Sequence, residues 1–150
     1  MKKKDNFFVK IMAIVLVLSA VAACSSSVDG PELIITEAWG RPSAMMKGNG
    51  AVYMLIENKG NQDDRLISAS SSVADTVELH ETKMVDGVMK MKHVMGIDLV
   101  AGETAELKPG GYHIMLIGIN EMFEVGSTIS VTLSFENSDD VTLEVDIREE

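Results

Sequence analysis

Cysteine is nearly absent: Cys24 is the only one in 150 residues. No intramolecular disulfide can form, and a domain lying beyond residue 24 has no thiol for a nucleophile, a redox pair or a thiolate metal site. Positive charge is also scarce. Thirteen Lys and Arg stand against 23 Asp and Glu, a net charge of −10 with His neutral. Lys2, Lys3, Lys4, Lys10 and Asp5 all precede residue 24, so the remainder has 9 basic and 22 acidic residues, a net charge of −13. Such a surface is a poor partner for nucleic acid or anionic lipid. The one apolar run, Ile11 to Val21, falls short of the ~20 residues a membrane-spanning helix needs. No window of a dozen residues shows a helical period. There is no Ser-His-Asp arrangement and no phosphate loop, and no pair of carboxylates stands out among the many acids, so nothing marks an enzyme.

What is present begins with a targeting segment. The positive residues 2–4 and 10, the apolar run 11–21 and the small residues Val21-Ala22-Ala23 before Cys24 resemble the bacterial lipoprotein signal. That resemblance implies cleavage before Cys24, lipidation of its thiol, and anchoring at the extracytoplasmic face of the cell membrane. It also accounts for a lone thiol in an exported chain, and several acyl chains anchor stably where one does not. The chain then divides into a signal peptide (1–23), a lipid-anchored flexible tether (24–31) and one domain (32–150), large enough for its own core.

The domain reads as strands. Segments 33–39, 51–57, 66–70, 76–80, 88–95, 104–107, 112–117, 128–135 and 141–147 are rich in β-branched residues, or alternate, and are bounded by Gly, Asn, Asp and Pro. Many short strands with turn signals between them predict an all-β, antiparallel Greek-key sandwich.

The chemistry lies in histidine and methionine. His80, Met91, His113 and Met115 form a neutral imidazole–thioether set, which suits Cu(I). Zn²⁺ more usually draws Cys or carboxylate, and Ca²⁺ or Mg²⁺ draws oxygen. Val85-Asp86-Gly87-Val88 carries a type I′ hairpin signal. With Asp86 and Gly87 as the loop, Met84 faces Met89, Thr82 faces Met91 and His80 faces His93. His80 and Met91 are then diagonal neighbours on one sheet face, about 7–8 Å apart. His113 and Met115, at i and i+2 of a strand, point to one face about 6.6–6.8 Å apart. A bulge or an odd loop would flip this parity. His ligands must be neutral, so affinity should weaken below about pH 6.5.

The spacing His80, ten residues, Met91, twenty-one residues, His113, one residue, Met115 resembles the signature of the PCu(A)C-type extracytoplasmic copper chaperones. Ala38-Trp39-Gly40-Arg41-Pro42, Asn49-Gly50-Ala51-Val52-Tyr53, Val88-Met89-Lys90-Met91 and Leu107 to Met115 also match, so the resemblance covers roughly residues 33–147. It implies a cupredoxin-like β-sandwich that binds one Cu(I) near its surface. It further implies delivery to the copper-bearing subunit of a haem-copper (cytochrome c) oxidase, alone or with a thiol-bearing Sco-type copper protein. The chain departs from the family at Glu81, where many members carry Met, and at His93, where members often carry Pro. His93 is an auxiliary ligand candidate, with Cu(II) at a secondary site as one use for it. Three other readings stand beside this one: a blue-copper electron carrier, which would need a Cys thiolate with two His; a structural or adhesive lipoprotein; and a copper-tolerance or storage protein.

The other notable residues read more plainly. Met54, Met122 and Trp39 are expected in the core, and Met84, Met89 and Met95 in hairpin packing. Met45-Met46 falls in a loop that could cover a copper site. Asp139-Asp140 and Glu149-Glu150 read as solvated charge. A monomer is expected.

Overall fold

The computed structural model describes residues 29–42 and 47–149. The signal segment, Cys24, most of the tether and Met45-Met46 lie outside the described residues. Ten strands follow in order: β1 (Leu33–Gly40), β2 (Asn49–Asn58), β3 (Asp64–Ser70), β4 (Ala74–Val85), β5 (Val88–His93), β6 (Ile97–Leu99), β7 (Thr104–Leu107), β8 (Tyr112–Ile119), β9 (Thr128–Phe135) and β10 (Val141–Ile147). There is no helix among the described residues. The short β6, pairing with β3, is the one strand absent from the sequence reading. It follows directly on Gly96, and three residues carry no legible alternation.

Each long strand forms because one side of it is apolar. In β2, Val52, Met54 and Ile56 are 0–1% exposed; in β9, Ile129, Val131, Leu133 and Phe135 are buried at every second position. These belong to a single hydrophobic cluster that takes side chains from β2, β3, β4, β6, β7, β8, β9 and β10. One ten-stranded sheet, in the order β5-β4-β8-β7-β2-β1-β10-β9-β3-β6, wraps around that cluster, as expected of a β-sandwich. Most neighbours are antiparallel. The exceptions are β1 with β10 and a single pair between β7 and β8. β7 and β8 lie end to end along the same edge of β2. The residues between Leu107 and Tyr112 leave that edge as a turn, and His113 sits where the chain rejoins it.

Two backbone irregularities aim side chains toward this region. Glu37 adopts φ +54°, and the register of β1 on β2 shifts between Thr36 and Trp39. This bulge sets Trp39 opposite Tyr53. At the hairpin tip, Asp86 and Gly87 have φ +54° and +77°, the pair of positive values that a type I′ turn requires.

At the far end of the sheet, Asp64 is buried and pins β3 to the turn after β9. Its carboxylate accepts hydrogen bonds from Arg65 N (2.7 Å), Asn137 N (2.9 Å) and Ser138 Oγ (2.5 Å). Burial pushes its pKa up, but the hydrogen bonds from Ser138, Arg65 and Asn137 outweigh it and hold the group below the ordinary 3.8. A depressed carboxylate contributes stability that is present above its ordinary value and lost as pH falls through the folded-state value. Urea unfolding of the wild type should therefore lose stability as pH drops below about 4, and Asp64→Ala should flatten that loss. At neutral pH the same substitution should cost about 1–3 kcal/mol.

Candidate metal centre

The hairpin register follows from the tight turn. Val85 pairs with Val88, Met84 with Met89, Thr82 with Met91 and His80 with His93. On its other side β4 pairs with β8, setting His80 opposite His113 and Glu78 opposite Met115. β4 is thus the shared strand. Met91 reaches the centre from one neighbour, and His113 with Met115 from the other. In β8, Ile114 and Leu116 are fully buried in the core, which turns His113 and Met115 to the opposite face.

The two inner imidazoles are held so that each keeps one ring nitrogen in reserve. His80 Nε2 lies 2.8 Å from Glu78 Oε2. A carboxylate only accepts, so this nitrogen carries the proton, and in the neutral ring Nδ1 keeps the lone pair. Nδ1 is buried and has no hydrogen-bond partner. His113 Nδ1 lies 3.1 Å from the Gly111 carbonyl oxygen, which likewise makes Nδ1 the donor and leaves Nε2 as the acceptor. A histidine that donates one N–H to a carboxylate or carbonyl while its other nitrogen faces an ion is the usual arrangement at metal sites. The ring centres of His80 and His113 are 5.8 Å apart. Burial pushes His113 below its ordinary 6.5, the Gly111 hydrogen bond works against this, and neighbouring His80 adds to the lowering.

Met91, His113 and Met115 share an open hollow of about 510 Å³ with Met89, Thr82, Tyr53 and the Pro109-Gly110 turn. His113 forms its buried side, at 4% exposure, and Met91 its exposed lip, at 53%. His80, directly opposite His113 on the neighbouring strand, does not line the hollow. Among the described residues no three His, Cys, Asp or Glu side chains converge closely enough to hold a metal. An ion bound here would therefore have to draw on thioether sulfur as well as imidazole, which favours a soft cation over Zn²⁺ or Ca²⁺. His93 stands outside the hollow, its ring centre 6.0 Å from that of His80.

The surroundings of this centre are not legible in the sequence. Glu78 carried no signal in an acid-rich chain, since only its place two residues before His80 on one strand face makes it a partner. Trp39 is not in the core. It is half-buried, its ring 4.7 Å from Tyr53, with Arg148 over its outer face at 5.2 Å. Tyr53 in turn lies 6.3 Å from His113. Met54 is buried as expected, but Met122 is 57% exposed, and Met84, Met89 and Met95 are 59–77% exposed instead of packed. Glu81, the departure after His80, points to the other face of the sheet. There it pairs with Lys83 (2.7 Å) and Lys92 (3.1 Å). The Lys83 hydrogen bond outweighs burial and, with Lys92, holds Glu81 below the ordinary carboxylate range.

An all-β domain with an imidazole and thioethers around an open hollow, and a second imidazole beside the first, belongs to the same structural class as the PCuAC domains. The copper-bound PCuAC domain from PmoF2 superposes with a TM-score of 0.67 at 25% identity, covering 81% of this chain and 99% of that one. The structure of CuI-DR1885 from Deinococcus radiodurans shares the fold, with a TM-score of 0.59 at 24% identity over 87% and 89% of the two chains. More particularly, the chain belongs to the LpqE-like family, described as "Putative lipoprotein LpqE-like", which it matches over residues 33–147. It is 33% identical over 116 residues to "Putative lipoprotein Lxx21020" of Leifsonia xyli subsp. xyli, covering 77% of this chain and 69% of that protein.

The tautomers can be checked without metal. Long-range ¹⁵N spectra of the apo protein should show His80 protonated at Nε2 and His113 at Nδ1. Glu78→Ala should release the first and leave the second, and His113 should titrate below 6.5. A freely exchanging His80 in the wild type would contradict the arrangement.

Proposed function

We propose that this protein is a lipid-tethered extracytoplasmic copper carrier, a binding and transfer protein and not an enzyme. It holds one Cu(I) through His80, Met91, His113 and Met115. The observation that carries the reading is the pair of imidazoles, each with one nitrogen tied to an acceptor, next to two methionines on an open face. The copper-bound state of the PmoF2 domain, which shares 25% of its residues with this chain, supports copper as the cargo. The donor set favours the Cu(I) state, since thioethers bind it without a proton to lose. An exposed lip at Met91 suits a carrier, because a cargo that is handed on must be reachable by the acceptor's ligands.

The acceptor in this reading is the copper-bearing subunit of a haem-copper oxidase, with a Sco-type thiol protein as an alternative route. The support for it is the family resemblance of residues 33–147. Cys24, with the lipoprotein description shared by the family and the Leifsonia relative, supports a lipid anchor that keeps the domain beside membrane acceptors.

Two experiments test these statements. In an anaerobic titration against a chromogenic Cu(I) chelator, the wild type should take one tight equivalent. His113→Ala and Met115→Ala should each weaken it at least tenfold, no less than the loss seen when a mere supporting group is removed. Indistinguishable curves for the three proteins would sink the ligand assignment. Separately, radiolabelled palmitate should enter the protein in the cells that make it and fail to enter Cys24→Ser; equal labelling of both would remove the anchor.

A further inference from the structure

His93 is the one histidine that the four-ligand centre leaves unused. We infer that His93 is a transfer ligand, which takes Cu(I) from the inner cluster and presents it at the open edge of the sheet. The inference rests on the copper reading above and adds a route to it.

Position is the first ground. His93 lies directly across from His80, with the two rings edge-on at 6.0 Å. All six residues of β5 are exposed, and β5 is the terminal strand in the sheet order. An acceptor can therefore approach His93 from the side where no strand of the described residues lies. The backbone there is nonetheless fixed, since Val94 N donates to Leu79 O at 2.9 Å just beyond it and Lys92 before it is tied to Glu81.

Distance is the second ground. A metal–imidazole bond of about 2.0 Å puts the ring centre about 3.2 Å from the ion, so two imidazoles on one ion have centres at most about 6.4 Å apart. The His80–His93 and His80–His113 separations, 6.0 and 5.8 Å, both meet this limit. The three histidines do not converge as one group. His80 is thus common to two stations, an inner one with His113 and an outer one with His93. Because Glu78 occupies Nε2 of His80, only Nδ1 remains for copper, and the stations fill in turn and never together.

The step is a ligand exchange. His80 keeps its bond, the bonds to His113, Met91 and Met115 break, and one bond to the entering His93 nitrogen forms. Copper remains Cu(I), and no electron moves. A d10 ion has no ligand-field geometry to lose as its donor number falls.

The test compares the detergent-solubilised wild type with His93→Ala and His93→Met, each loaded with one Cu(I). Stopped-flow mixing with bathocuproine disulfonate gives the rate of copper release, and equilibrium competition with the same chelator gives affinity. His93→Ala should leave affinity within about threefold but slow release roughly tenfold, the size typical of losing a supporting group at a metal site. His93→Met, which restores a soft donor at the edge, should recover most of the rate. Equal release rates for wild type and His93→Ala, with one equivalent bound to both, would overturn the transfer role and leave the carrier reading intact. A tenfold or larger loss of affinity in His93→Ala would also overturn it, since His93 would then be a resident ligand. A wild type that binds no Cu(I) would remove the carrier reading, and the transfer role with it.

Discussion

A β-strand has two hydrogen-bonding edges, and the candidate centre depends on β4 using both of them in one register. His80 is opposite His93 on one side and His113 on the other. Side-chain direction alternates with period two, so a slip of one residue on either side would send half of these groups to the opposite face. The register against β5 is fixed by a two-residue turn whose positive dihedrals admit one loop length. The register against β8 is fixed by burial, because Leu79, Ile114 and Leu116 must all enter the core. A local constraint and a global one therefore meet at His80. The same alternation that buries Leu79 delivers His80, and the same alternation that buries Ile114 delivers His113 and Met115.

Around that point the structure forgoes some stability. Burying a methionine side chain contributes about 1.5–3 kcal/mol, yet Met84, Met89 and Met91 stand 53–66% exposed on the hairpin. The hairpin adds little to the core, and its own ion pairs, Glu81 with Lys83 and Lys92, lie on the face away from the hollow. Sulfur left at the surface in a sheet otherwise packed by aliphatic side chains is consistent with a role in contact with something outside the domain. The acidic balance of the chain concentrates cations near it and makes it a poor partner for anionic lipid headgroups.

Much of this was legible in the sequence where local rules were strong. The Asp86-Gly87 turn fixed the pairing of His80 with His93 and of Thr82 with Met91, and nine of the ten strands had alternation or β-branched runs to mark them. Illegible features depended on long-range packing. Trp39 reads as core in any window, but the bulge at Glu37 turns it beside Tyr53 at the rim, and bulges have no reliable sequence signature. Met122 and the hairpin methionines read as packing because methionine usually packs; the hairpin methionines are exposed because β5 is terminal in the sheet, and Met122 because it lies in the connection between β8 and β9, both properties of topology. Glu78 is invisible for a different reason. One carboxylate among 23 acidic residues becomes a partner only once its strand face and the tautomer of His80 are known.

In the proposed carrier a single Cu(I) is held by two imidazoles and two thioethers drawn from three strands. X-ray absorption at the copper K-edge of the protein loaded anaerobically with one equivalent tests it most directly. Two shells are expected together, nitrogen at about 2.0 Å and sulfur at about 2.3 Å, with a Cu(I) edge, the nitrogen shell diminished in His113→Ala and the sulfur shell in Met115→Ala. A spectrum fitted by nitrogen and oxygen alone, or by sulfur alone, would contradict it.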